Sequence, residues 1–138
     1  MSSAKLSNRQ VSETIAYPQS TRKRAEIAMS CSPFQLELFI AMQGNSVSLG
    51  AIATAAGVQN RYTRSPQSEL AAESALMWLI QVGILRREVD GQGITDSFRL
   101  TPLGRQLVEQ WQPGGEIPSA TMCDRLRNTI NRYLRLPL

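Results

Sequence analysis

The fold is decided by residues 84–111, ILRREVDGQGITDSFRLTPLGRQLVEQW. On its first limb Ile84, Leu85 and Val89 are apolar and Arg86, Arg87, Glu88 and Asp90 polar, and Gly91 and Gly93 allow the chain to turn back. The second limb sets Phe98 and Leu100 against Ser97 and Arg99, an alternation that predicts a strand with one buried face. Thr101 then offers a hydroxyl cap and Pro102 takes the first helical position, where its missing N–H costs nothing. Leu103, Leu107, Val108 and Trp111 follow at helical spacing. The stretch therefore predicts strand, turn, strand and capped helix.

Upstream, three helices are expected. Ser32, Pro33 and Gln35 read as a capping box for a helix bearing Phe34, Leu36, Leu38, Phe39, Ile40 and Met42 and ended by Gly44. Ser48 caps a second helix through Leu49, Ile52, Ala53 and Ala56, with Gly57 as a C-cap turn and Val58 as the plug behind it. The third is expected to start at Ser65 and Pro66 and to run to about Val82, facing Ala72, Ala75, Leu76, Leu79 and Ile80 inward, with Trp78 closing the edge of that core. Gly83 ends it and hands the chain to the hairpin.

This order resembles the winged helix-turn-helix superfamily, small bacterial regulators of the MarR and PadR kind above all, over residues 32–112. SPFQLELFIAMQG, SLGAIATAAGV, LMWLIQVGILRR and FRLTPLGRQL carry the resemblance, and Thr101 and Gly104 match its pattern of a capped, closely packed helix after the wing. The resemblance implies a mainly α (α+β) fold with a two-stranded wing and flanking N- and C-terminal helices. Two features depart from it. QNRYTRS separates Val58 from the Ser65–Pro66 start, so either the recognition helix begins early and kinks or the segment is a projecting loop. Glu69 and Glu73 also lie one turn apart on the expected outward face of that helix, where phosphates would repel them.

The flanks carry the basic excess of a chain with net charge +4. Residues 1–31 form a basic arm holding Lys5, Arg9, Arg22, Lys23 and Arg24 against Glu13 and Glu26, with a short helix from Thr21 to Ser30 through Ala25, Ile27, Ala28 and Met29. The triplet Arg22, Lys23 and Arg24 opposes the dipole at the start of that helix, which hints at an outside anion. Residues 32–112 balance six arginines against seven acids. Residues 113–138 open on the breaker PGGEIPSA and continue into a helix capped by Thr121 and Asp124. Met122, Leu126, Ile130, Tyr133 and Leu134 form its apolar stripe, and Arg125, Arg127, Arg132 and Arg135 belong to its polar side. That stripe requires the N-terminal helix, the same helix of a second subunit, or another protein.

The chemistry of catalysis is poorly represented. There is no histidine, no glycine-rich phosphate loop and no ligand spacing around Cys31 and Cys123, which read as small buried thiols in a reduced compartment. We therefore expect no enzyme, no cofactor and no metal. No apolar run nears the roughly 18 residues of a membrane helix and no signal peptide opens the chain, so the expectation is a soluble cytoplasmic protein with no membrane partner.

The function expected is sequence-specific binding of double-stranded DNA by a homodimeric transcriptional regulator that acts by occupying an operator. Arg61, Tyr62 and Arg64 would lie near the groove, Arg86 and Arg87 at the wing base, Gln92 and Thr95 at the wing tip, and Arg22, Lys23 and Arg24 on the phosphate backbone. The alternative is a protein-interaction subunit of a larger, nucleic-acid-processing assembly, supported by the neutral central domain and the acidic helix face.

Overall fold

The computed structural model describes residues 16–134; residues 1–15 of the basic arm, with Lys5, Arg9 and Glu13, and residues 135–138, with Arg135, lie outside the described residues. Among the described residues, seven α-helices and one small antiparallel sheet make an α+β fold: α1 (Gln19–Cys31), α2 (Leu36–Ala41), β1 (Val47–Ser48), α3 (Leu49–Ile52), α4 (Thr54–Gln59), α5 (Glu69–Gln81), β2 (Leu85–Asp90), β3 (Gly93–Leu100), α6 (Pro102–Trp111) and α7 (Met122–Thr129). A wider helical turn, Ile130–Leu134, continues α7.

The hairpin forms as its alternation requires, with Leu85 opposite Leu100 and Arg87 opposite Phe98. A third strand joins it. Val47 and Ser48, expected only to lead into a helix, pair with Phe98 and Ser97, so the sheet order is β1-β3-β2. Phe98, flanked on both sides and fully buried, is the centre of that sheet.

The junction of hairpin and helices is tied at Thr101. Its hydroxyl accepts from the Gly104 amide at 3.1 Å and donates to the carbonyls of Gly83 and Ile84. Gly83 has the left-handed φ of +90° that lets α5 end there. Gly104 meets the opposite constraint: a Cβ at this position would stand 2.4 Å from the Ile84 carbonyl oxygen, so only glycine lets α6 approach so closely.

Three helix starts and one helix end differ from expectation. α1 begins at Gln19, two residues before Thr21, behind the extended Pro18. Ser32 serves the helix before it rather than the one after, donating to the Met29 carbonyl at 2.8 Å. Phe34 then pairs with Thr63 in an isolated bridge, and α2 starts only at Leu36. Ser68, not Ser65, caps α5 by accepting from the Ala71 amide at 3.1 Å, so residues 60–67 are a loop and not the kinked start of a helix. The second expected helix breaks at Ala53 into α3 and α4, and Gly57 lies inside α4 instead of capping it. A Cβ on Gly57 would come within 2.0 Å of the Ile52 carbonyl oxygen, while the left-handed residue after α4 is Arg61, at φ +64°. Val58, the expected plug, is exposed. Buried Thr63 fills inward instead, and its hydroxyl lacks a hydrogen-bond partner, an omission costing about 1–3 kcal/mol.

Candidate interaction surfaces

The inner face of the hairpin carries Leu85, Arg87, Phe98 and Leu100, and three of these four are buried against the helices. Arg87 is held on the same side. Its guanidinium lies 5.0 Å from the Phe98 ring centroid, donates to the Thr95 carbonyl at 3.2 Å and to the Met77 sulfur at 3.2 Å, and stands 3.9 Å from Glu73. Strand parity explains this, since Arg87 is two residues from Leu85. Arg87, expected to meet DNA at the wing base, is thus engaged within the fold, where its cation–π contact adds about 0.5–2 kcal/mol. Arg86 points to the other face and is exposed, beside Arg99, which is bound to Glu88 at 3.2 Å.

At the tip, Gln92 is exposed in a turn closed by its own amide donating to Asp90 Oδ1 at 2.7 Å. Thr95 is turned to structural work: its hydroxyl donates to the Glu88 carbonyl at 2.9 Å and accepts from the Ser97 amide at 3.2 Å, holding the irregularity between Arg87 and Val89. Beyond it Val89 pairs with Ile94, and both are open to water, at 65% and 74% exposure. This outer apolar pair lies beyond the irregularity at Arg87 and Val89 and is bare. On α5, Leu70 is 81% exposed between Glu69 and Glu73. α5 and the hairpin tip thus expose Leu70, Val89 and Ile94 together with the acids Glu69, Glu73, Asp90 and Asp96, of which Glu73 stands 3.9 Å from Arg87.

The 60–67 loop is pinned rather than loose. Tyr62 donates its amide to the Gly57 carbonyl at 2.8 Å, accepts from the Gln35 amide at 2.8 Å, and packs its half-buried ring against the core, so it anchors the loop instead of projecting from it. Arg61 and Arg64 are exposed. With the Gln35 amide turned to suit its neighbours, it donates to the Arg61 carbonyl at 2.9 Å and accepts from Arg64 Nε at 3.2 Å. Arg64 also borders a groove of about 440 Å³ between the end of α1, the segment before α2 and the 115–120 linker, together with Arg125, Glu37, Glu116 and Cys31. Two cations and two carboxylates leave that groove without a net charge to select an anion. Burial pushes the Cys31 thiol above its ordinary range, against the pull of Arg125. Cys123, expected to be buried, is exposed on α7.

Of the α1 triplet, Arg22 is committed to its own chain, donating to Gln106 at 2.9 Å and to Gln110 and pairing with Glu26 at 3.5 Å. Lys23 and Arg24 are exposed on a helix whose neighbours are α5, α6 and α7. The three N-terminal cations are thus not gathered with those of the 60–67 loop.

α7 is the main surprise. It lies on α1 and α5 of its own chain, but through its polar edge: Asn128 accepts from Trp78 Nε1 at 2.9 Å and Arg132 donates to Ser74 at 2.8 Å. The stripe faces the other way. Met122, Leu126, Tyr133 and Leu134 are 85%, 64%, 66% and 63% exposed, and only Ile130 is partly covered. The sequence supplied the stripe and its capping box, in which Thr121 Oγ1 accepts from the Asp124 amide at 3.0 Å; its outward direction had no signal in the spacing.

No group of three or more acidic, cysteine or histidine side chains able to hold a metal lies among the described residues, and no helix among them is long and apolar enough to cross a membrane. The fold and these surfaces define a small α+β protein with two exposed apolar faces. Residues 15–132 match the Npun_F0494-like family, and the chain belongs to that family. No curated protein and no solved structure matches it.

Proposed function

We propose that the chain is a winged-helix scaffold serving as a protein-interaction module, and that duplex DNA is not the partner of its helix-and-wing face. The observation that carries this reading is the pairing of α5 with the hairpin tip, which expose Leu70, Val89 and Ile94 together with Glu69, Glu73, Asp90 and Asp96. Duplex DNA presents about one phosphate charge per 1.7 Å of axis, so a face bearing carboxylates and aliphatic tips is repelled by it and leaves its apolar area wet. A protein segment with apolar side chains and flanking cations satisfies both features. The inward commitment of Arg87 and of Arg99 supports the same reading, since these would otherwise be the wing's phosphate contacts.

A second reading, operator binding by a regulator, is favoured by one observation: Arg61, Arg64 and Arg86 are exposed. The two readings separate on an immobilised duplex of random sequence. The interaction module passes through at low salt; a DNA binder is retained, elutes with a steep dependence on salt, and loses that retention in Arg61→Ala with Arg64→Ala. Retention of that kind would overturn the proposal.

A further inference from the structure

We infer that the occupant of the outward stripe of α7 is the α5–hairpin face of a second copy of this chain, with the exchange made in both directions across a two-fold axis. The inference rests on the interaction reading above and names its partner. Eight large apolar side chains are exposed among the described residues, and all but Val58 belong to α7 with the turn that continues it, to α5 or to the hairpin tip. A monomer rarely leaves so many uncovered on so few elements.

Charge decides which face meets which. Arg125 and Arg127 are exposed beside the stripe of Met122 and Leu126, while the single acid of α7, Asp124, is held half-buried in the capping box. Two α7 stripes laid on each other would bring arginine against arginine with no carboxylate between them. Laid on the α5–hairpin face, the same arginines meet the exposed carboxylates around Leu70 and Ile94.

Closure is possible because the two faces adjoin on one molecule. Arg132 donates to Ser74, and Ser74 is one helical turn from Leu70, so the end of α7 stands beside the start of the α5–hairpin face. A two-fold axis near Ser74 carries each α7 onto its partner's α5 and hairpin tip, which makes a closed dimer and not an open chain.

The test is sedimentation velocity on the full chain, with Leu126→Asp and Ile94→Asp as variants. Both positions are exposed, so unchanged melting of the diluted proteins shows that the fold is kept. Wild type is expected to be a dimer, and each variant to dissociate at least about tenfold more readily. A wild-type chain that stays monomeric at about 100 μM overturns the inference. So does a dimer broken by Leu126→Asp and indifferent to Ile94→Asp, which would mean α7 on α7. None of these outcomes bears on duplex retention, so failure of the dimer and failure of the interaction reading are seen separately.

Discussion

α6 and α7 begin alike and end as opposites. Each is capped by a threonine whose hydroxyl accepts from an amide three residues on, and each carries an apolar stripe at helical spacing. α6 buries Leu103, Leu107, Val108 and Trp111 beneath the hairpin and α2, whereas α7 turns Met122, Leu126, Tyr133 and Leu134 to water and rests on asparagine and arginine. Amphipathicity thus states that a helix has two faces and is silent on which of them meets the rest of the chain. α6 has its direction imposed by Thr101 and Gly104, which tie its first turn to the Gly83–Ile84 backbone. α7 follows a linker with no such tie; it packs along α1 and hydrogen-bonds, with the turn that continues it, to Trp78 and Ser74 of α5.

The largest expected effect separates the two stripes directly. Leu107→Ala should cost about 2–5 kcal/mol in urea unfolding, because it opens a cavity in a fully buried site. Leu126→Ala should stay within about 0.5 kcal/mol in dilute protein. Equal losses would mean that the α7 stripe is covered by its own chain, and the contrast would fall.

Next in size is Gly104→Ala, expected to cost about 1–3 kcal/mol by forcing α6 away from Ile84. A neutral result would remove close approach as the reason for the direction of α6. Caps sharpen the comparison further: Thr101→Ala should lower stability by about 1–2 kcal/mol and Thr121→Ala by about 0.5 kcal/mol, since Thr101 also holds two carbonyls while Thr121 is an exposed end cap. Reversal of that order in thermal unfolding would show α7 to be the better anchored helix.

The smallest effect is chemical. Maleimide should label the exposed Cys123 of α7 well before Cys31. Because burial raises the pKa of Cys31, its thiolate forms only above the ordinary thiol range, and its labelling should accelerate later as pH rises. The same shift makes the protonated thiol favour the folded chain, a contribution present below the unfolded pKa and lost as pH climbs through the folded one. Equal labelling at neutral pH would count against the burial of Cys31 at the α1 end.

Part of the hairpin junction was legible because those requirements are local. The left-handed Gly83, the Thr101 cap and Pro102 at the first helical position act within a few residues of themselves, and the capping box of Thr121 and Asp124 does the same, whereas the tie of Thr101 and Gly104 to Ile84 joins distant segments. Helix starts were less legible. Serine can serve a helix on either side, and Ser32 turned back to Met29 while Ser68 displaced Ser65 once Phe34, Gln35 and Tyr62 had joined the two loops. Of the expected nucleic-acid contacts, Arg61, Arg64, Arg86, Lys23, Arg24 and Gln92 reach water, whereas Arg22, Arg87, Tyr62 and Thr95 found partners inside the fold. Residue type had suggested charge and hydrogen bonding correctly; it could not say toward what.

Periodicity and capping chemistry alone, then, settled that this chain makes a hairpin, a capped helix behind it and a two-faced terminal helix, because those signals depend on neighbours in sequence. Only the packing of elements decided that β1 joins the sheet, that Val89 and Ile94 at the hairpin tip are bare, and that α7 presents its apolar side to water. Burial is a relation between distant segments: Phe98 and Ile94 are both apolar residues of β3, yet Phe98 lies in the core and Ile94 is 74% exposed.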